Sequence, residues 1–159
     1  MRNQESKVPA VNEAAREEAV ISEALSILTR RVQSGAAIRD LGDCKRYLAL
    51  SVPYPDREVF RAVWLSHESR VLGVETLSVG TLSEAAVFPR EVVKAALKAG
   101  AAAVVFSHNH PSGNPQESMA DVRITERLRD ALALVDVRVL DHLITAGGAC
   151  TSLAEKGHI

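Results

Sequence analysis

Two histidines, His108 and His110, stand two residues apart in the segment SHNHPSGNPQESMAD at 107–121. In extended backbone, residues i and i+2 face the same side. Their imidazoles can therefore converge on one point at the ~2.0–2.1 Å that zinc requires. The loop PSGNPQE at 111–117 carries Pro, Gly and Asn as turn formers and is long enough to reverse the chain. Ser118 then takes a helix N-cap position, and Asp121 falls three residues on, in the first turn, where its carboxylate can swing back toward the histidines. His, His and Asp make three ligands and leave the fourth tetrahedral position to water, the pattern of a catalytic zinc site rather than a structural one. Nitrogen and oxygen donors without thiolate suit zinc, although Mn, Co or Fe could also enter. The expectation is one zinc ion per chain.

An open zinc lowers the pKa of its water to about 7. Hydrolysis then needs a carboxylate to carry the water proton to the leaving group. Glu58 is the leading candidate, because it begins an otherwise apolar run where a solvated glutamate has little reason to stand. Glu75, Glu84 and Glu91 compete: Glu75 lies within the next strand, and the other two read as turn and surface-helix residues. Spacing alone leaves this choice open, and Glu58 could instead pair with Arg57 or Arg61. Plainer readings stand beside each residue. A histidine pair at this spacing is often only a polar loop. Ser118 could be no more than an N-cap, with Asp121 favoured near the positive end of the helix; one geometry serves both roles. His142 reads as a hydrogen-bonded core histidine rather than a fourth ligand, His67 and His158 as surface residues, and Cys44 and Cys150 as small apolar fillers.

The elements that must position these groups follow from periodicity. Residues 1–10 are polar, carry Pro9 and read as disordered. A helix is predicted over roughly 11–34, with Ile21, Leu25, Leu28 and Val32 as one apolar stripe and Gly35 as its stop. A short helix follows at about 38–50, then a proline-bearing linker, SVPYPD, at 51–56. EVFRAVWLS (58–66) and RVLGVETLSVGT (70–81) read as two strands joined by the polar turn HESR, a hairpin. Pro89 could open a helix over 89–99 and Gly100 close it. AAAVVFSHNH (101–110) is a buried-type strand ending in the two histidines. A long helix is predicted from about 118 to 135 with Ile124, Leu128, Leu132 and Val135 as its core stripe, then a strand at 137–147 and a short strand or tail. This order describes an α/β domain, a mixed sheet flanked by helices, with the reactive loop at a strand end.

Bulk properties narrow the function classes. The chain has 159 residues, 47% hydrophobic and 25% charged, ordinary values for one globular domain. A chain this long needs no metal or disulfide to fold, so a metal would be there for chemistry. A net charge of −1 argues against a broad basic face for nucleic acid. Two cysteines without a CxxC pair fit buried thiols in a reducing compartment. No stretch approaches 18 apolar residues, so no transmembrane helix is expected, and the N-terminus lacks the apolar core of a signal peptide. The expectation is a soluble cytoplasmic protein with no membrane partner.

His108-Asn109-His110, seven residues, Ser118, two residues, Asp121 resembles the JAMM motif (H-x-H-x7-S-x2-D) of the JAB/MPN metalloprotease superfamily. The surrounding text is similar to its bacterial RadC branch: REVFRAVWL at 57–65, VGTL at 79–82, FPREVVKAAL at 88–97, SHNHPSG at 107–113 and RVLDHLI at 138–144. The resemblance covers roughly 50–159. It implies a JAB/MPN domain over 51–159, with a cytidine-deaminase-like layout, behind a disordered start and helical extension at 1–50. It implies a zinc-dependent hydrolase acting on peptide or isopeptide bonds in a peptide or protein substrate, with His108, His110 and Asp121 on the metal. The family's motif glutamate lies in a segment like REVF, which carries the proton-transfer role onto Glu58. Ser118 takes the place of the family's hydrogen-bond donor to the water or oxyanion. Longer RadC proteins, linked by name to DNA repair, carry an N-terminal helix-hairpin-helix segment. The 50 residues here show no such hairpin, so the chain reads as a short stand-alone form. The amphipathic N-terminal helix could support a homodimer.

A second reading from another class is a non-catalytic or DNA-associated accessory protein of a mobile element with a structural or vestigial metal site. Intact motif positions favour the enzyme. Two look-alikes fall away. In HNH nucleases the three letters stand far apart in sequence, unlike 108–110. Zinc deaminases need H-x-E and a later P-C-x-x-C, and this chain has neither.

Overall fold

A computed structural model describes residues 11–33, 41–52, 55–80 and 87–159. The predicted disordered start, the stop at Gly35 and Glu84 lie outside the described residues. The described order is α1 (Val11–Gln33), α2 (Leu41–Leu50), β1 (Val59–Leu65), β2 (Val71–Val79), α3 (Pro89–Ala99), β3 (Ala103–Asn109), α4 (Met119–Ala133), β4 (Arg138–Ala146) and β5 (Ala149–Ser152). The strands form one five-stranded sheet in the order β2-β1-β3-β4-β5. Only β3 and β4 run parallel, linked through α4; β1–β2, β1–β3 and β4–β5 are antiparallel. The fold is the expected α/β layout, a mixed sheet with helices on both faces.

Alternation along β1 and β3 explains the two layers. Phe60, Ala62 and Trp64 of β1 join Val104 and Phe106 of β3 on one face, under Val92 and Ala96 of α3 and Leu128 and Leu132 of α4. Val63, Leu65, Ala103 and Val105 point the other way and meet Val32 of α1 and Cys44 and Leu48 of α2. A strand buried on both sides reads as a continuous apolar run, which is why β1 and β3 lack polar alternation. Local signals end the helices as their chemistry dictates. Pro89 opens α3, and Gly100 closes it at φ 63°, the left-handed conformation that favours glycine.

Two apolar stripes differ from expectation. Among the described side chains of α1, Leu28 and Val32 are the buried ones, whereas Ile21 is 44% exposed. At about 1.5 Å per residue, the 23-residue α1 is more than twice as long as the 10-residue α2 beside it. Its first turns run past its neighbour. On α4 the buried face is Asp121, Val122, Thr125, Leu128 and Leu132. Ile124 and Val135 pack only at its margin. The helix is rolled so that polar Asp121 and Thr125 turn inward, above the end of β3.

Arg61 ties the α2 layer to the sheet. It is buried on β1 and donates to the carbonyls of Leu48 and Ser51 and to Ser51 Oγ. It does not turn to Glu58. Among the described residues, no helix is long and apolar enough to cross a membrane.

Candidate metal centre

β3 delivers His108 on the face covered by α4, and His110 follows just beyond the strand end. The chain reverses through 111–117 and enters α4 at Ser118. There a capping box forms. Asp121 N–H donates to Ser118 Oγ at 3.2 Å, and Ser118 N–H donates to Asp121 Oδ2 at 2.6 Å. The box fixes the Asp121 carboxylate on the first turn, aimed at β3. His108 Nε2 lies 3.2 Å from Asp121 Oδ1, His110 Nε2 lies 3.6 Å from Oδ2, and the two Nε2 atoms are 2.8 Å apart. Two nitrogens and a carboxylate oxygen thus lie within 4.8 Å of one another, a group able to hold a metal ion.

The donor set fits a small cation. Tetrahedral ligands ~2.0–2.1 Å from zinc stand roughly 3.3 Å apart, within the range spanned by these separations. The protonation pattern points the same way. His110 Nδ1 lies 2.9 Å from the Asn114 carbonyl oxygen, which can only accept, so that nitrogen carries the ring proton and Nε2 is left bare. If His108 is also bare at Nε2, two nitrogens and a carboxylate crowd acceptors around one point, a situation that a proton or a cation relieves. The Asp121 hydrogen bond, against the opposing effect of burial, raises the His110 pKa, helped by the Asn114 carbonyl and by the charges of Asp121 and Glu58. Burial pushes the Asp121 carboxyl up, but its hydrogen bonds to both histidines outweigh that and hold it well below the usual carboxylate range. A proton held here is the metal-free answer to the same electrostatic demand.

Glu58 is half-buried at the start of β1 and feels His110 electrostatically. Glu75 is engaged elsewhere, accepting from Trp64 Nε1 at 2.9 Å, and Glu91 is exposed beside Arg90 on α3. Ser118 is exposed. Its hydroxyl oxygen accepts from Asp121 N–H, which leaves its own proton free to donate outward.

Three residues matter that the motif spacing did not single out for this site. Asn109 sits between the histidines and clamps the entry to β1: its Oδ1 accepts from Val59 N–H at 2.9 Å, and its Nδ2 donates to the Arg57 carbonyl at 2.7 Å. It grips Glu58 by the backbone on both sides. His142 of β4 is wholly buried, as a core histidine should be, and its Nε2 meets His108 Nδ1 at 2.8 Å. Desolvation and the neighbouring His108 keep its pKa well below the ordinary value, despite Asp121. Thr125 reaches both His142 Nδ1 and the Asp121 carbonyl at 2.6 Å. A threonine four residues after Asp121, in line with Leu128 and Leu132, was the available signal.

A family model described as the RadC-like JAB domain matches residues 38–158. The chain belongs to the RadC-like JAB domain family. Relatives named UPF0758 protein cover most of this JAB chain. One from Vibrio cholerae is 48% identical over 141 residues, 89% of this chain and 89% of its own length. One from Thiobacillus denitrificans is 45% identical over 96% of this chain and 69% of its own. One from Cellvibrio japonicus is 52% identical over 70% of this chain and half of its own. The JAB match begins just ahead of α2, in keeping with Cys44 and Leu48 sharing a core with the sheet.

Proposed function

We propose that the chain is a zinc-dependent hydrolase of the JAMM type that cleaves a peptide or isopeptide bond. The observation that carries this reading is the meeting of His108 Nε2, His110 Nε2 and the Asp121 carboxylate around one point, with His110 Nδ1 committed to a carbonyl. Zinc held there would polarise a carbonyl and make a water acidic enough to ionise near neutral pH. Glu58 takes the proton of the attacking water and hands it to the leaving amine. Ser118 donates its free hydroxyl proton to the oxygen on which negative charge develops. Asn109 clamps the backbone on either side of Glu58, which would hold that residue in place for this role.

The test is metal analysis of the purified protein, then incubation with peptide and isopeptide substrates with and without chelator. Chelator should stop turnover. Glu58→Gln should abolish turnover, by at least a hundredfold for a lost general base, with zinc content unchanged. Zinc lost from that variant would instead make Glu58 a ligand.

A further inference from the structure

We propose that Thr125 and His142 are positioning residues that lock His108 into the tautomer whose bare Nε2 faces the metal position. This rests on the reading of His108, His110 and Asp121 as metal ligands.

The inference follows from counting protons along a buried chain of contacts. Thr125 Oγ1 has one proton and two partners, the Asp121 carbonyl and His142 Nδ1, each at 2.6 Å. A carbonyl oxygen can only accept, so the hydroxyl proton goes there. Were it turned to His142 instead, two oxygens would face each other at 2.6 Å with nothing between them. Thr125 must therefore accept from His142 Nδ1–H. The His142 ring is wholly buried and faces imidazole and phenyl rings, not a carboxylate within hydrogen-bond reach. Neutral, with its proton on Nδ1, it has a bare Nε2. That nitrogen lies 2.8 Å from His108 Nδ1 and needs a donor, so the His108 proton sits on Nδ1. His108 Nε2 is then free to ligate.

His110 reaches the same state in one step, through the Asn114 carbonyl. His108 reaches it in three, and the carbonyl that begins the relay belongs to Asp121, the third ligand. One turn of α4, 121–125, thus supplies both a carboxylate and the polarity of an imidazole across the sheet. Metal-bound histidines usually pass their second N–H to a carboxylate, a carbonyl or water. A neutral histidine in that place fixes the tautomer without lending negative charge.

Two measurements on the full chain test the relay. Long-range 1H–15N spectra of the wild type, with and without zinc, should show His142 protonated at Nδ1 and bare at Nε2; a proton on His142 Nε2 overturns the proposal. Zinc affinity, read by competition with a chromogenic chelator, should fall about 10- to 100-fold in Thr125→Val, which keeps the shape and loses the hydroxyl. Thr125→Ser should bind within about threefold of wild type, since it retains the hydroxyl. Melting of the zinc-free proteins separates packing from positioning. A Thr125→Val protein with a lowered Tm and wild-type zinc affinity makes the threonine merely structural and overturns the relay, as does a Thr125→Ser protein that binds no better than the valine. Wild-type protein that binds no zinc sinks the metal reading and the relay together. Zinc bound equally by wild type and Thr125→Val sinks the relay alone.

Discussion

Asp141 and His142 are neighbours on β4, equally buried, and hold two very different polar knots. Asp141 closes its own. Its Oδ1 accepts from His142 N–H and Ala154 N–H, and its Oδ2 from Ser152 Oγ, which in turn accepts from Glu155 N–H. Every acceptor there meets a donor, and the result staples the C-terminal segment to the sheet. Lys45 of α2 joins the rim through Glu155. The His142 side points to the opposite face and stays open. Its contacts run through His108 to the point where two imidazole Nε2 atoms and a carboxylate converge. A buried polar group stabilises when its bonds are complete and is costly when they are not. The closed knot therefore serves the fold, and the open one is the arrangement that the proposed metal would complete.

That contrast can be broken by exchanging the fates of the two carboxylates. Asp121→Asn should weaken zinc binding by roughly a thousandfold or more, about 4 kcal/mol, since a lost ligand costs more than the 10- to 100-fold of a lost supporting contact. Metal-free stability in urea should change far less. Asp141→Ala should do the reverse. It strands the Ser152 hydroxyl and two backbone N–H groups, and should cost about 3 kcal/mol of unfolding free energy, while zinc per folded chain stays the same. If both variants lost zinc alike, the division between the knots would be wrong.

Cys150, on β5 beside the closed knot, sharpens the comparison. Burial first, then the charges of Asp141 and Glu155, push its thiol up to about 11, against a partial pull downward from Lys45. Because only the thiolate reacts, alkylation near pH 8 should run about a hundredfold slower than at an ordinary cysteine. It should accelerate as pH rises toward that value, and peptide mapping by mass spectrometry reads it. Ser152→Ala is the mildest change, removing one donor to Asp141 at a cost of about 1 kcal/mol in urea unfolding, with zinc binding untouched.

Much of the fold was legible because its signals are local. Pro89 and Gly100 bracket α3 by backbone chemistry alone, and the apolar runs of β1 and β3 announce strands covered on both faces. The site was legible where its residues are near in sequence: His108 and His110 share a strand end, and Ser118 with Asp121 writes a capping box. The position of Glu58 was not, since 50 residues separate it from His108. Where its stretch of chain lies relative to the end of β3 depends on antiparallel pairing of β1 with β3 and on the Asn109 clamp. The Ile21 stripe misled for a related reason, because helical periodicity says which face is apolar but not where a neighbour stops.

The sequence by itself determined the candidate ligand types, their spacing and the helix cap that aims Asp121, all set by contacts within a few residues of chain. Only the tertiary structure decided which buried histidine faces His108 and which threonine reaches that histidine. Those depend on β4 lying parallel to β3 and on the roll of α4 about its axis. Register and helix roll are settled by the packing of whole layers, which no short stretch of sequence encodes.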